Sequence, residues 1–391
     1  MPFGTASRSP ARVIAIGGSA VVVCLLPVFL TGSMATFIQA DLHLGAAGLG
    51  LAVALYRAAG AICSPTLGRR ADRVGATKSL KLATAGAAVA CLGIAVTARN
   101  TPTLIAWLML AGCAGALAQP GANRLLAARV DSSRLGLAFG IKQSAPPAAS
   151  TLAGLSVPLI AATAGWRWGF VAAALVAAVI SLGMRPVPRP ARPRLVASDP
   201  AGRVADRRTV LVLAIAFGLG TSVSSSVTTF FVLSVVERGT SEVLAGTMLA
   251  GAGVLAIVVR IVAGLVSDRA TGNYLRGCAV LAGIGATGVA ALAFAGSEAV
   301  QAASLAIALG GIWGFNGVFW FALIDAFPHS PGAITGAVAP GALLGSTVGP
   351  IIFGLIAENA GYSSAFGVFT GIALATAAGL LAGNSRLERD A

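Results

Sequence analysis

The sequence predicts an all-α membrane protein: twelve transmembrane helices in two pseudo-symmetric six-helix halves. Three observations predict it. Hydrophobic residues make up 57% of the chain and charged ones 10%, against about 25% charged in a soluble domain, and the mean hydropathy is +0.87. The apolar residues fall into twelve runs of roughly the 20 residues that cross a bilayer core of about 30 Å, and lipid forces each run to satisfy its own backbone, as a helix does. Finally, the charged stretch Gly68-Arg69-Arg70-Ala71-Asp72-Arg73-Val74-Gly75-Ala76-Thr77-Lys78 returns in part as Gly264-Leu265-Val266-Ser267-Asp268-Arg269, 196 residues later in a chain of 391.

The first span, 13–36, follows Arg8 and Arg12. Its length and the eleven spans behind it mark it as a helix rather than a cleaved secretory signal. Spans 46–66 and 79–98 flank the first charged turn, and spans 102–123, 136–160 and 167–184 complete an N-terminal bundle over 1–184. Residues 185–208 differ in character, with five prolines, Pro186 to Pro200, among seven arginines. Proline denies that stretch a helix and charge denies it the membrane, which predicts a cytoplasmic linker whose arginines hold topology and touch anionic headgroups. The C-terminal bundle, 209–391, carries spans 209–236, 242–264, 276–295, 300–324, 333–357 and 362–383. At an offset of 196, Asp41 meets Glu237, Gly140 meets Gly336, and Gly165-Trp166-Arg167-Trp168-Gly169-Phe170 meets Gly361-Tyr362-Ser363-Ser364-Ala365-Phe366. Parallel six-span repeats are the pattern of transporters whose halves rock about a central site.

A formal charge of +14 raises the question of nucleic acid, and the distribution of charge answers it. With a cytoplasmic N-terminus, 21 of the 27 basic residues fall on the inside, and only Arg99, Arg167 and Arg238 lie outside. This positive-inside bias places both termini in the cytoplasm of a multi-pass protein of the cell (inner) membrane, and no nucleic-acid partner is expected. The five cysteines lie in or beside apolar spans without pairing or metal-like spacing and read as small packing residues. The only histidines, His43 and His329, lie in loops on opposite sides, and there is no Gly-x-x-x-x-Gly-Lys-Ser/Thr phosphate loop. No catalytic residue, metal site or cofactor is expected, and an ATP-driven pump is disfavoured.

These residues carry a resemblance. Gly68-x-x-Ala71-Asp72-Arg73-x-Gly75 and its repeat Gly264-x-x-Ser267-Asp268-Arg269, with Gly349-Pro350-x-x-x-Gly354 and Gly165-Trp166-Arg167, resemble the signature loops and helix starts of the major facilitator superfamily over essentially the whole chain. The fifth span, with Pro146, Pro147 and Pro158, departs from the Gly-Pro pattern of the family's antiporters, so an antiport mechanism is not carried over. The resemblance implies a cytoplasmic gate of Gly68, Asp72, Arg73, Gly75, Gly264, Asp268 and Arg269. There each aspartate pairs with helix N-terminal amides and a cation, Arg124 or Arg129, to latch the inner side shut. The plainer reading is that these arginines only hold the loop inside.

Ionisable residues within a span are expensive and point to function. Beyond their end turns the spans hold Arg57, Lys142 and Arg260 and no carboxylate, so the natural counter-ion is an anionic small-molecule substrate or a water-filled cavity. Against this, Arg57 pairs with carbonyls and water, Lys142 snorkels to the inner surface, and Arg260, the most structural of the three, reaches the cytoplasmic edge and Asp325. Ser222, Ser225, Ser226 and Thr229, at i, i+3, i+4 and i+7, share one helix face and either bind substrate oxygens or bond back to their own helix. Gln119, Asn316, Trp313 and Trp320 complete the candidate set, the amides by the family's cavity-lining helices, while the tryptophans equally suit packing. Gly341, Gly345 and Gly349 read as close-packing surfaces.

The expectation is a secondary transporter, not an enzyme, moving a small organic or inorganic anion by alternating access, with a coupling proton or counter-anion, as a monomer in the bilayer. Proton-coupled efflux of lipophilic compounds and a non-transporting sensor or scaffold are the alternatives.

Overall fold

The computed structural model describes residues 10–130, 141–184, 206–267, 274–327 and 331–389, with the side chains of Pro10, Arg12, Asp72, Ala127, Arg129, 264–267 and 331–333 outside the description. Eleven helices among these residues are long and apolar enough to cross a membrane. They are α1 (Pro10–Ser33), α2 (Ala46–Val74), α3 (Ala76–Thr97), α4 (Thr101–Arg129), α5 (Ala145–Ala164), α6 (Trp166–Gly183), α7 (Arg207–Val236), α8 (Glu242–Ser267), α9 (Tyr274–Phe294), α10 (Glu298–Ala326) and a last stretch, Pro331–Arg389. That last stretch is interrupted at Gly361, with φ 81° and ψ 162°, and so comprises α11 (331–360) and α12 (362–389). The described residues therefore supply twelve helices for the twelve apolar runs, and no strand occurs among them.

Several boundaries differ from the sequence expectation. α1 stops at Ser33 and a separate helix, Ala35–Leu42, continues it. The charged stretch after Gly68 is helix, not turn: α2 runs through Arg69, Arg70 and Arg73 to Val74, and the reversal is confined to Gly75, whose φ of 88° favours glycine. Arginine has a high helix propensity and reaches polar surroundings from a helix end, so charge alone does not end a helix. Asp268, Arg269 and residues 185–205 of the expected linker lie outside the described residues, and α7 already begins at Arg207. Pro146 and Pro147 stand in the first turn of α5, where missing N–H groups cost least. Pro158 lies in a π-helical turn, Val157–Ala161, one of the recognised ways a helix absorbs an irregularity.

The duplication is visible in the backbone itself. Gly165 and Gly361, 196 residues apart, have φ of 98° and 81°, and His43 and Gly239, also 196 apart, have φ of 51° and 95°. The halves meet where α2 packs on α11 and α5 on α8. A Cβ on Gly354 would lie 2.6 Å from the Ala46 carbonyl, and one on Gly154 2.6 Å from that of Gly246. Small residues allow such backbone approach between helices that gain no hydrophobic drive from lipid. Large apolar side chains on the bundle's exterior, among them Ile62, Leu159, Val179, Leu182 and Leu344, are exposed, as a lipid-facing surface requires.

Candidate functional site

Arg57 lies on α2 and is half-buried. Its guanidinium carbon is 5.6 Å from the centre of the Tyr56 ring, within cation–π reach, and its buried Nε has no hydrogen-bond partner. The neighbouring Tyr56 hydroxyl donates to the Cys24 carbonyl of α1 at 2.9 Å, which fixes this part of α2 against the first helix. Lys142, just before α5, is 4% exposed and its Nζ donates to Asn123 Oδ1 on α4 at 2.8 Å. Asn123 is a neutral partner that the sequence reading did not single out.

Arg260 turns inward rather than toward Asp325. Its Nε donates to the Trp313 carbonyl of α10 at 2.8 Å and its Nη1 to the Gln143 carbonyl, so it links α8 with the opposite half. Trp313 is buried, its ring edge-on to Phe29 of α1 at 6.3 Å. Lys142, Gln143, Arg260 and Trp313 thus form one connected group across the two halves, with Asn123 and Phe29 behind it.

The other candidates have different surroundings. Ser222 Oγ donates to Leu219 O at 2.8 Å, Thr229 Oγ1 to Ser225 O at 2.7 Å and Ser225 Oγ to Ser346 O of α11 at 3.3 Å. Hydroxyls bonded in this way return their donors to backbone, while the fully buried Ser226 Oγ has no partner. Gly349 faces Ser222, with a Cβ there 2.7 Å from that of Ser222. Trp320 stands edge-on to Phe217 at 4.9 Å. Gln119 is exposed and Asn316 half-buried. Of the gate residues, Gly68 is half-buried, Arg73 exposed at the end of α2 and Arg124 half-buried on α4. The side chains of Asp72 and Arg129, and all of Asp268 and Arg269, lie outside the described residues. Among the described residues no group of three metal-ligating side chains gathers.

At the end of the bundle away from the termini, Glu358 of α11 accepts from the Ala47 amide at 2.7 Å, so a carboxylate of one half caps α2 of the other. Asp41 accepts from Trp166 Nε1 at 3.1 Å and from Arg167. Burial alone would raise the Asp41 carboxyl; the hydrogen bonds from Arg167 and Trp166 and the charges of Arg167 and Arg99 outweigh it and hold the group below the ordinary value of 3.8.

The family model of the Major Facilitator Superfamily matches residues 17–342, and the chain belongs to that superfamily of membrane transporters. Among solved structures it resembles a bacterial homologue of the human lysosomal transporter Spinster, in an inward-facing and occupied conformation, at 17% identity, a TM-score of 0.76 and coverage of 97% of this chain and 96% of the other. It also resembles a D-xylose-proton symporter at 16% identity and a TM-score of 0.77, covering 94% and 96%. At such identities the likeness is one of fold. No curated protein matches the sequence. The chain is a multi-pass membrane protein with the fold its sequence predicts.

Proposed function

We propose that this protein is a secondary transporter that moves a small organic or inorganic anion across the cell (inner) membrane by alternating access. The observation that carries the reading is Arg57: a guanidinium within a membrane-spanning helix whose buried Nε has no hydrogen-bond partner, in spans whose carboxylates stand only in end turns, as Glu242, Glu298, Asp325, Glu358 and Glu388 do. A cation so placed is stabilised by a counter-charge that arrives from outside the protein. Arg57 and Lys142 supply charge recognition, with Gln119, Asn316, Trp313 and Trp320 orienting the ligand; of the α7 hydroxyls of Ser222, Ser225, Ser226 and Thr229, only that of Ser226 is uncommitted to backbone. The halves 1–184 and 209–391 are the moving units, joined by 185–208, with both termini cytoplasmic and the charged helix ends forming the inner gate. A proton or a counter-anion couples the cycle, and the transporter works as a monomer.

Flux into proteoliposomes tests this. With a panel of labelled mono- and dicarboxylates and inorganic phosphate, one anion enters saturably, and Arg57→Gln abolishes its uptake while the variant stays folded. Uptake of a neutral sugar, unchanged in Arg57→Gln, contradicts the anion reading; export of a lipophilic cation, unchanged in the same variant, contradicts it in favour of efflux; binding with no flux in any direction favours a sensor.

A further inference from the structure

The acceptor that Arg260 uses follows from two prolines. In a helix the carbonyl of residue 143 accepts from the amide of residue 147, or in a tighter turn of residue 146. Both positions are proline here and neither has an N–H to give. The next amide, Ala148 N, goes to Ser144 O at 3.0 Å. The Gln143 carbonyl is thus denied both local donors by the sequence, and Arg260 Nη1 of the opposite half supplies the bond. Nε of the same guanidinium holds the Trp313 carbonyl at 2.8 Å, and the side-chain stem lies along Gly317, where a Cβ would stand 3.4 Å from Arg260 Cγ. The planar fork of arginine serves two carbonyls at once, which a lysine cannot do with the same geometry.

We infer that Arg260 is a positioning residue of the candidate site, tying the peptide next to Lys142 in the first half to the peptide of Trp313 in the second. The tie sets the distance between the halves at this point and is released when they separate there. Pro147 belongs to the same device, because it keeps the Gln143 carbonyl free for the arginine. The inference does not depend on the charge of the substrate, so it survives a failure of the anion reading.

The test is a distance measurement between the halves. In a full-length variant with its five cysteines replaced, nitroxides at Ile62→Cys on α2 and Leu344→Cys on α11, both exposed, report inter-half distances by pulsed electron paramagnetic resonance. Arg260→Ala gives a new or enlarged distance population. Pro147→Ala, which restores a local donor to Gln143 while leaving the guanidinium in place, shifts the distribution the same way. The double variant goes no further than Arg260→Ala alone, since both changes cut one tie. Distributions that stay at the parent's in both single variants, or shifts that simply add, overturn the inference. Should Arg260→Ala fail to fold, Pro147→Ala decides alone: an unchanged distribution refutes the tie.

Discussion

Arg167 at the start of α6 donates to the carboxylate of Asp41, and the same guanidinium reaches the Ala98 carbonyl at the end of α3 at 2.8 Å. The second half has the counterpart with the arginine moved to another helix. Arg238, after α7, donates to the carbonyls of Leu292 and Ala295 at the end of α9, at 2.7 and 3.2 Å, and to Ser363 Oγ at 3.3 Å. In both halves a cation sits on a helix C-terminus, where free carbonyls and the helix dipole favour it. Burial holds the Arg238 guanidinium below its ordinary value, with the charge of Glu237 acting the other way. The duplicated fold has kept the contact and exchanged the helix that supplies it.

Asp41→Asn lowers thermal stability at neutral pH by a small amount, of order 0.5 kcal/mol, since the carboxylate side chain is 43% exposed and solvent screens such pairs. The carboxyl is depressed in the folded protein, so its contribution is complete above the ordinary carboxylate range and fades as pH falls through the lowered value. Melting curves of wild type and Asp41→Asn between pH 7 and pH 3 therefore converge toward acid. A gap that widens toward acid contradicts the pairing.

Glu358→Ala removes the cap on α2 at Ala47 and costs about 0.3–1 kcal/mol, the range for an exposed charge at a helix N-terminus. Glu358→Gln retains an acceptor and loses less, and added salt narrows its difference from wild type. Thermal unfolding in low and high salt checks both.

Gly345→Ala places a methyl on the Gly218 carbonyl and 2.8 Å from Thr221 Oγ1. Backbone cannot yield as a side chain end can, so the α7–α11 contact opens at a cost of about 1–3 kcal/mol or more. Gly283→Ala on α9 meets nothing within 4 Å and is neutral or mildly stabilising, by the better helix propensity of alanine. Melting temperatures of the two variants move in opposite directions or differ by several degrees.

Cys63 of α2 and Cys113 of α4 have Sγ atoms 3.0 Å apart, and both are free thiols. Diamide takes two protons and two electrons from the pair to give one disulfide and the hydrazine. Intact-mass alkylation then counts two fewer reactive thiols than the five of the reduced chain. Cys63→Ser abolishes the loss. Five alkylated thiols after diamide contradict the pairing.

The twelve crossings were legible in the sequence because lipid demands apolar runs of one length, and no tertiary contact alters that demand. The continuation of α2 through Arg69, Arg70 and Arg73 was not, because a run of positive charge marks a loop as readily as a helix end, and Gly75 alone reverses the chain. Cys63 and Cys113 lie 50 residues apart on different helices, a spacing that carries no local signature of contact. Arg57 and Lys142 stood out as charges in apolar spans, whereas Asn123 had nothing to mark it as the partner of Lys142. The role of Arg260 was half visible: Pro146 and Pro147 announce that the Gln143 carbonyl lacks a local donor, but only the packing of α8 on α5 shows which side chain provides one.

Anion recognition by Arg57 is tested most directly by a thermal-shift titration of purified wild type and Arg57→Gln against small carboxylates, inorganic phosphate, neutral sugars and lipophilic cations. A ligand that binds the folded state and not the unfolded one stabilises it by RT ln(1 + L/Kd), with L the free ligand concentration, so the melting temperature climbs with ligand concentration. An anionic-substrate transporter is stabilised by one class of anion in wild type, and that stabilisation disappears in Arg57→Gln. Stabilisation by sugars or lipophilic cations, equal in both proteins and with no anion effect, contradicts anion transport through Arg57.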